Sequence, residues 1–183
     1  MTTNATTSIL FVDDERNILE ALKRLLSDEP YEVRTCIDPR AALEEVRKRR
    51  PSVVVADYYM PEMSGPDFLK GVREIHGGIV RMVLTGKPDL EGVLRAVNLG
   101  EVYRFVLKPW DDAELKMVLR NAIDYGTLMR ERDRLLVDLE RHRQTLAVLE
   151  RDHPGISKLP QRDESGAFVL SDRDLPRPVR SEK

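Results

Sequence analysis

Three carboxylates, a hydroxyl and an ammonium stand out because each closes a short apolar run. Ser8-Ile9-Leu10-Phe11-Val12 ends in Asp13 and Asp14, and Val53-Val54-Val55-Ala56 ends in Asp57. The run over residues 79–84 ends in Thr85, and the run over residues 102–107 is followed by Lys108. Neighbouring carboxylates bind hard divalent cations through oxygen, and Mg²⁺ typically takes one or two of them together with water and phosphate oxygens. Clustered carboxylates repel one another, so the group needs a cation or a raised proton affinity. With the metal present, a carboxylate can attack phosphorus and carry the phosphoryl group covalently. A lysine beside it neutralises the phosphoryl oxygens and a threonine hydroxyl donates a hydrogen bond to one of them. By residue type, Asp57 is the phosphoryl acceptor, Asp13, Asp14 and Asp57 offer oxygens to Mg²⁺, and Thr85 and Lys108 face the phosphoryl group.

Those residues meet only if the runs they close lie side by side. Amphipathic segments separate the runs. Between the first two, Ile18, Leu19, Leu22, Leu25 and Leu26 recur at helical spacing over residues 16–26. A second strand is expected over residues 31–36. Asp38-Pro39 then supplies an N-cap and a proline at the first helical position, opening a helix through residue 50. Further helices are expected over residues 66–75 and 88–99, with Asp111 capping a long final one. The run Val53–Ala56 lacks polar alternation, as in a strand covered on both faces. Strand and helix alternate five times, which predicts an α/β fold, a doubly wound five-stranded parallel sheet with right-handed crossovers. In such sheets the functional crevice lies beyond the carboxyl ends of the strands. Asp13, Asp14, Asp57, Thr85 and Lys108 all fall on that rim.

Residues 8–125 resemble the receiver domain of two-component response regulators, a flavodoxin-like fold. The matching pieces are Phe11-Val12-Asp13-Asp14-Glu15, Val54-Val55-Ala56-Asp57, Met60-Pro61-Glu62-Met63-Ser64-Gly65, Leu84-Thr85-Gly86 and Lys108-Pro109-Trp110. The resemblance implies phosphorylation of Asp57 by a histidine kinase or phosphotransfer protein. It implies Mg²⁺ on Asp13, Asp14, Asp57 and the backbone carbonyl of Tyr59, with Thr85 and Lys108 on the phosphoryl group. Phe105, three residues before the lysine, falls at the family's rotameric aromatic switch. The stretch from residue 99 through Lys-Pro-Trp looks most like a subgroup joined to cyclic-dinucleotide phosphodiesterase or regulatory outputs. Catalysis is expected only as self-phosphorylation and slow self-dephosphorylation.

Beyond the receiver segment, placed at residues 1–125, the sequence changes character. Residues 126–151 contain no proline, and Leu128, Leu135, Leu139, Leu146 and Leu149 share one heptad seam with Arg132 and His142. This predicts an amphipathic extension of the final helix, able to form a short coiled coil and a weak homodimer. Residues 152–183, with Pro154, Pro160, Pro176 and Pro178 among polar residues, are expected to be a flexible tail. That tail is too short on apolar residues for a DNA-binding domain. The basic residues of the final helix alternate with acids, and the net charge is only −2, so no direct nucleic-acid binding is expected. A single cysteine, Cys36, excludes an internal disulfide and suits a small core position. The polar N-terminus lacks the pattern of a signal peptide, and no apolar run approaches a membrane span, so a cytoplasmic location is expected. The favoured output is a downstream protein of unknown identity or a second copy. The alternatives are a phosphate sink or a receiver fragment of a longer regulator.

Overall fold

A computed structural model describes residues 7–86 and 102–153, together with the backbone of residues 161–162 and 168–169. The expected helix over residues 88–99 lies outside the described residues. Five strands build one parallel sheet: β1 (Ser8–Val12), β2 (Glu32–Cys36), β3 (Val53–Asp57), β4 (Val80–Thr85) and β5 (Arg104–Leu107). Their order is β2-β1-β3-β4-β5. Three shorter helices, α1 (Arg16–Leu25), α2 (Pro39–Lys48) and α3 (Gly65–Ile75), and the long α4 (Asp112–Asp152) follow the chain order expected. The doubly wound α/β architecture is therefore as expected from the alternation.

Side-chain alternation along the strands sorts the core into two layers. Ile9, Phe11, Val53, Val55, Met82 and Leu84 pack with Leu19 and Leu22 of α1 and with Leu115, Val118, Leu119 and Ala122 of α4. Leu10, Val12, Val54, Ala56 and Val83 pack on the other face with Ala42 and Val46 of α2 and Phe68, Leu69 and Val72 of α3. Both faces of β3 are thus covered, which is why its sequence is apolar without alternation.

Caps set where the helices begin. The Asp38 carboxylate accepts from the Arg40 amide at 2.8 Å, with Pro39 opening α2 as expected. The Asp111 carboxylate accepts from the Glu114 amide at 2.9 Å at the start of α4. For α3 the cap is Ser64, whose hydroxyl accepts from the Asp67 amide at 3.3 Å, so the helix begins at Gly65 rather than at Pro66. β5 begins at Arg104 instead of residue 102. Val102 is buried there, but the first bond on that side is an extra one from the Tyr103 amide to the Arg81 carbonyl at 2.7 Å.

The chain divides into two compact units, residues 1–131 and 132–183. The first extends past residue 125 because Gly126 of α4 is buried against the sheet. A β-carbon at Gly126 would lie 2.7 Å from Val80 Cγ2 and 3.9 Å from the Ser52 carbonyl oxygen. Within the stretch expected to be a flexible tail, β6 (Gln161–Arg162) and β7 (Phe168–Val169) form a two-residue antiparallel ladder. No helix among the described residues is long and apolar enough to cross a membrane.

Candidate functional site

The register of the sheet brings the chosen residues together. β1 pairs with β3 and β3 with β4, so the ends of three consecutive strands deliver Asp13, Asp57 and Thr85 to one rim. Lys108 follows β5, and its amide donates to the Thr85 carbonyl at 2.8 Å, tying the lysine loop to the end of β4. Asp13 and Thr85 are fully buried and Asp57 is 6% exposed. Asp14 is exposed.

Lys108 organises the centre. Its Nζ lies 2.7 Å from Asp13 Oδ2 and 2.6 Å from Asp57 Oδ1, so one ammonium joins two buried carboxylates from different strands. Burial alone would lower the lysine pKa. The hydrogen bonds it donates to Asp13 and Asp57 outweigh that, and it lies above its ordinary value. Burial also holds the Asp13 carboxyl above its ordinary value, against the opposing pull of Lys108. The remaining carboxylate oxygens accept backbone donors. The Tyr59 amide donates to Asp57 Oδ2 at 2.8 Å and the Glu15 amide donates to Asp13 Oδ1 at 2.9 Å.

The loop after β3 is shaped for this approach. The Tyr58 amide donates to the Leu84 carbonyl at 2.8 Å, and the Gly65 amide returns to the Tyr58 carbonyl at 3.0 Å. An ideal β-carbon on Gly65 would stand 2.1 Å from the Asp57 carbonyl oxygen, so only glycine lets α3 start this close to the acceptor strand. Glu62 takes a positive φ of 67° at the tip of the same loop. Phe105 pairs in register with Val83 and is partly buried against the α3 side of the core.

Sequence reasoning selected Asp13, Asp57, Thr85 and Lys108, and the structure brings all four to the rim. The backbone donors Glu15 and Tyr59 were not legible, because a main-chain amide carries no residue signature. Gly65 was visible within its motif, but its close approach to Asp57 depends on α3 packing. Of the expected Mg²⁺ set, Asp13 and Asp57 are joined through Lys108 and Asp14 is exposed to solvent. Among the described residues no group of three or more His, Cys, Asp or Glu side chains is disposed to hold a metal ion. The donor chemistry itself, carboxylate oxygen at a partly open rim, is that of a Mg²⁺ site.

The acid on β3 held by a lysine after β5 lies in the crevice at the carboxyl ends of a parallel sheet, where open α/β folds bind their ligands. The family model described as the response regulator receiver domain matches residues 9–120, and the chain belongs to that family. Among relatives, it is 35% identical over 144 residues to the hydrogenase transcriptional regulatory protein HoxA of Cupriavidus necator. That match spans 79% of this chain and 29% of the relative. With the C4-dicarboxylate transport transcriptional regulatory protein DctD of Pseudomonas aeruginosa it shares 28% identity over 92% of this chain and 36% of the relative. The chain therefore spans about a third or less of the length of these two regulators. Among solved structures, the signal receiver domain of an HD domain-containing protein from Pseudomonas fluorescens Pf-5 superposes with a TM-score of 0.67. That pair is 37% identical over 72% of this chain and 97% of the other. A structure described as adenylate cyclase from Rhodopirellula baltica gives a TM-score of 0.69 at 36% identity, over 72% of this chain and 97% of that one.

Proposed function

We propose that this chain accepts a phosphoryl group on Asp57 from a histidine kinase or phosphotransfer protein and converts it into a change of surface at β5 and α4. The observation that carries the reading is the pairing of Asp57 with Lys108 at 2.6 Å on the rim, beside buried Asp13 and Thr85. An Asp57 oxygen forms the new bond to phosphorus. The bond from phosphorus to the donor's imidazole nitrogen breaks, and that nitrogen keeps the electron pair and takes a proton. Lys108 would neutralise the oxygens of the product and the Tyr59 amide, which donates to Asp57 Oδ2 at 2.8 Å, would orient them. Mg²⁺, held by Asp13, Asp14, Asp57 and the Tyr59 carbonyl, would supply the charge that lets two carboxylates and a phosphoryl group share one site. Thr85 then hydrogen-bonds a phosphoryl oxygen, and Phe105 responds to the space it leaves.

Asp57→Asn tests this directly, because an amide is a far poorer nucleophile than a carboxylate. Labelling by acetyl phosphate with Mg²⁺ should vanish in the variant, and label retained at the wild-type level refutes the assignment.

The output reading rests on a second observation. Leu128, Leu135, Leu139, Leu146 and Leu149 are 40–63% exposed along α4. Pairing with a second copy would cover them. Ten leucines already about half covered contribute ~1 kcal/mol each, at ~1.5–3 kcal/mol for full burial. That sum of about 10 kcal/mol meets an association cost of ~4–15 kcal/mol, so the dimer is weak and a phosphoryl switch can tip it. In a parallel pair Asp138 of one helix faces Arg143 of the other across the seam. Replacing Leu135 and Leu139 by Asp should abolish any mass increase seen by light scattering with beryllofluoride and Mg²⁺. A wild type that stays monomeric at tens of micromolar under both conditions overturns self-association.

A further inference from the structure

The opposite edge of the sheet, where the strands begin, carries a cluster of arginines. Helices α1 to α3 run back against the strands, so their last carbonyls gather there, and guanidinium groups can satisfy them. Two arginines bond carbonyls at or just past these helix ends. Arg34 donates to the Arg49 carbonyl at 3.2 Å and to Glu45 Oε1 at 2.8 Å. Arg81 donates to the Ile79 carbonyl at 2.7 Å and to the Gly77 carbonyl at 3.2 Å.

Arg50 and Arg130 are different. The Arg130 guanidinium borders the backbone corner where the Val80 amide bonds the Ser52 carbonyl at 3.2 Å, and the Arg50 guanidinium lies against Gly78, two residues before Val80. A β-carbon at Gly78 would lie 2.6 Å from Arg50 Nη2, and one at Gly126 would lie 3.3 Å from Arg130 Nη1 and 3.9 Å from the Ser52 oxygen. Among the described residues Arg130 donates only to Thr127 Oγ1, at 3.0 Å on its own helix, and Arg50 has no side-chain hydrogen bond or ion pair. Burial, and after it the positive charge of Arg50, disfavour the charged form of Arg130, with no carboxylate acting against them. Arg50 also closes the basic run Arg47-Lys48-Arg49-Arg50, of which Arg47 is paired with Glu44. Two like charges act on one another without a counter-ion among the described residues, and each presents a planar fork matched to phosphate oxygens.

We propose that Arg50 and Arg130 form a binding site for a small soluble phosphate-bearing anion, separate from the phosphorylation site. Ser52 precedes Asp57 by five residues along β3, about 16 Å at ~3.3 Å per residue, so the two anion sites lie on opposite edges of the sheet. Arg130 is the next-to-last residue of the first compact unit. An anion bridging Arg50 to Arg130 would pin α4 to the start of β3 at the point where that unit ends.

The experiment is a melting titration of the full chain with sodium pyrophosphate, in EDTA, against sodium chloride at matched ionic strength. An Asp57→Asn arm separates this site from the phosphoacceptor. Wild type and Asp57→Asn should show the same saturable rise in Tm. Arg50→Gln and Arg130→Gln should each weaken the apparent affinity at least tenfold. Without ligand both should melt no lower than wild type, because each relieves a like-charge contact. Arg50 is exposed, so its variant reports even if Arg130→Gln misfolds. An equal rise with chloride, an equal response in Arg50→Gln, or loss of the response in Asp57→Asn alone overturns the proposal. Sedimentation with phosphatidylglycerol vesicles without a pyrophosphate effect would also overturn it, assigning the corner to a lipid surface.

Discussion

Replacing Lys108 by methionine tests the charge balance of the rim. The side chain is 14% exposed and its ammonium joins two carboxylates that are 0% and 9% exposed. Methionine keeps most of the apolar stem and deletes the countercharge. Removing one partner of a buried ion pair typically costs ~3–5 kcal/mol. The variant has one escape, which is to protonate a carboxylate. Holding a proton at pH 7 on a group with an ordinary pKa of 3.8 costs about 4 kcal/mol, at ~1.36 kcal/mol per unit. Burial already raises the Asp13 pKa, so the escape is cheaper than that limit, and a loss of ~2–4 kcal/mol is expected. With a urea slope of ~2 kcal/mol/M, the midpoint falls by about 1–2 M in EDTA at pH 7. The pH dependence has a definite sign. Without Lys108 the Asp13 pKa rises further, so the folded state binds more protons than the unfolded state above pH 3.8. Stability then falls as pH rises, and the gap to wild type narrows on going from pH 7 to pH 5. Millimolar Mg²⁺ should narrow it as well, by supplying the missing charge. A variant within ~0.5 kcal/mol of wild type in EDTA, a change this small being ordinary for surface positions, with no narrowing at pH 5, refutes the role given to Lys108.

Two further outcomes follow from local geometry. Gly65→Ala forces a β-carbon against the Asp57 backbone, so it should destabilise by ~1–3 kcal/mol and slow acetyl phosphate labelling, whereas wild-type values for both would show that α3 shifts freely. Burial raises the Cys36 thiol above its ordinary pKa of 9.0, so iodoacetamide labelling followed by mass spectrometry should be slow at pH 7–8 and still climbing past pH 9, and a plateau reached below pH 9 contradicts this.

The apolar runs and the helical spacing between them were enough to place five strands in order, since a run without polar alternation must be covered on both faces. The Asp38-Pro39 and Asp111 starts were legible because capping is a short-range matter of a side chain and an amide two or three residues on. The acids and the lysine were legible because the sheet rule sends strand ends to one rim. Their pairing was not. Whether Lys108 faces a metal-bound phosphoryl group or bridges Asp13 and Asp57 depends on distances between β1, β3 and the loop after β5, which are up to 95 residues apart in sequence. Tertiary packing also decided that Gly126 keeps α4 on the sheet past residue 125 and that Arg50 acts on Arg130. Each is a close approach between segments remote in the chain. Residue type records the need for burial or charge, while backbone geometry decides which partner supplies it.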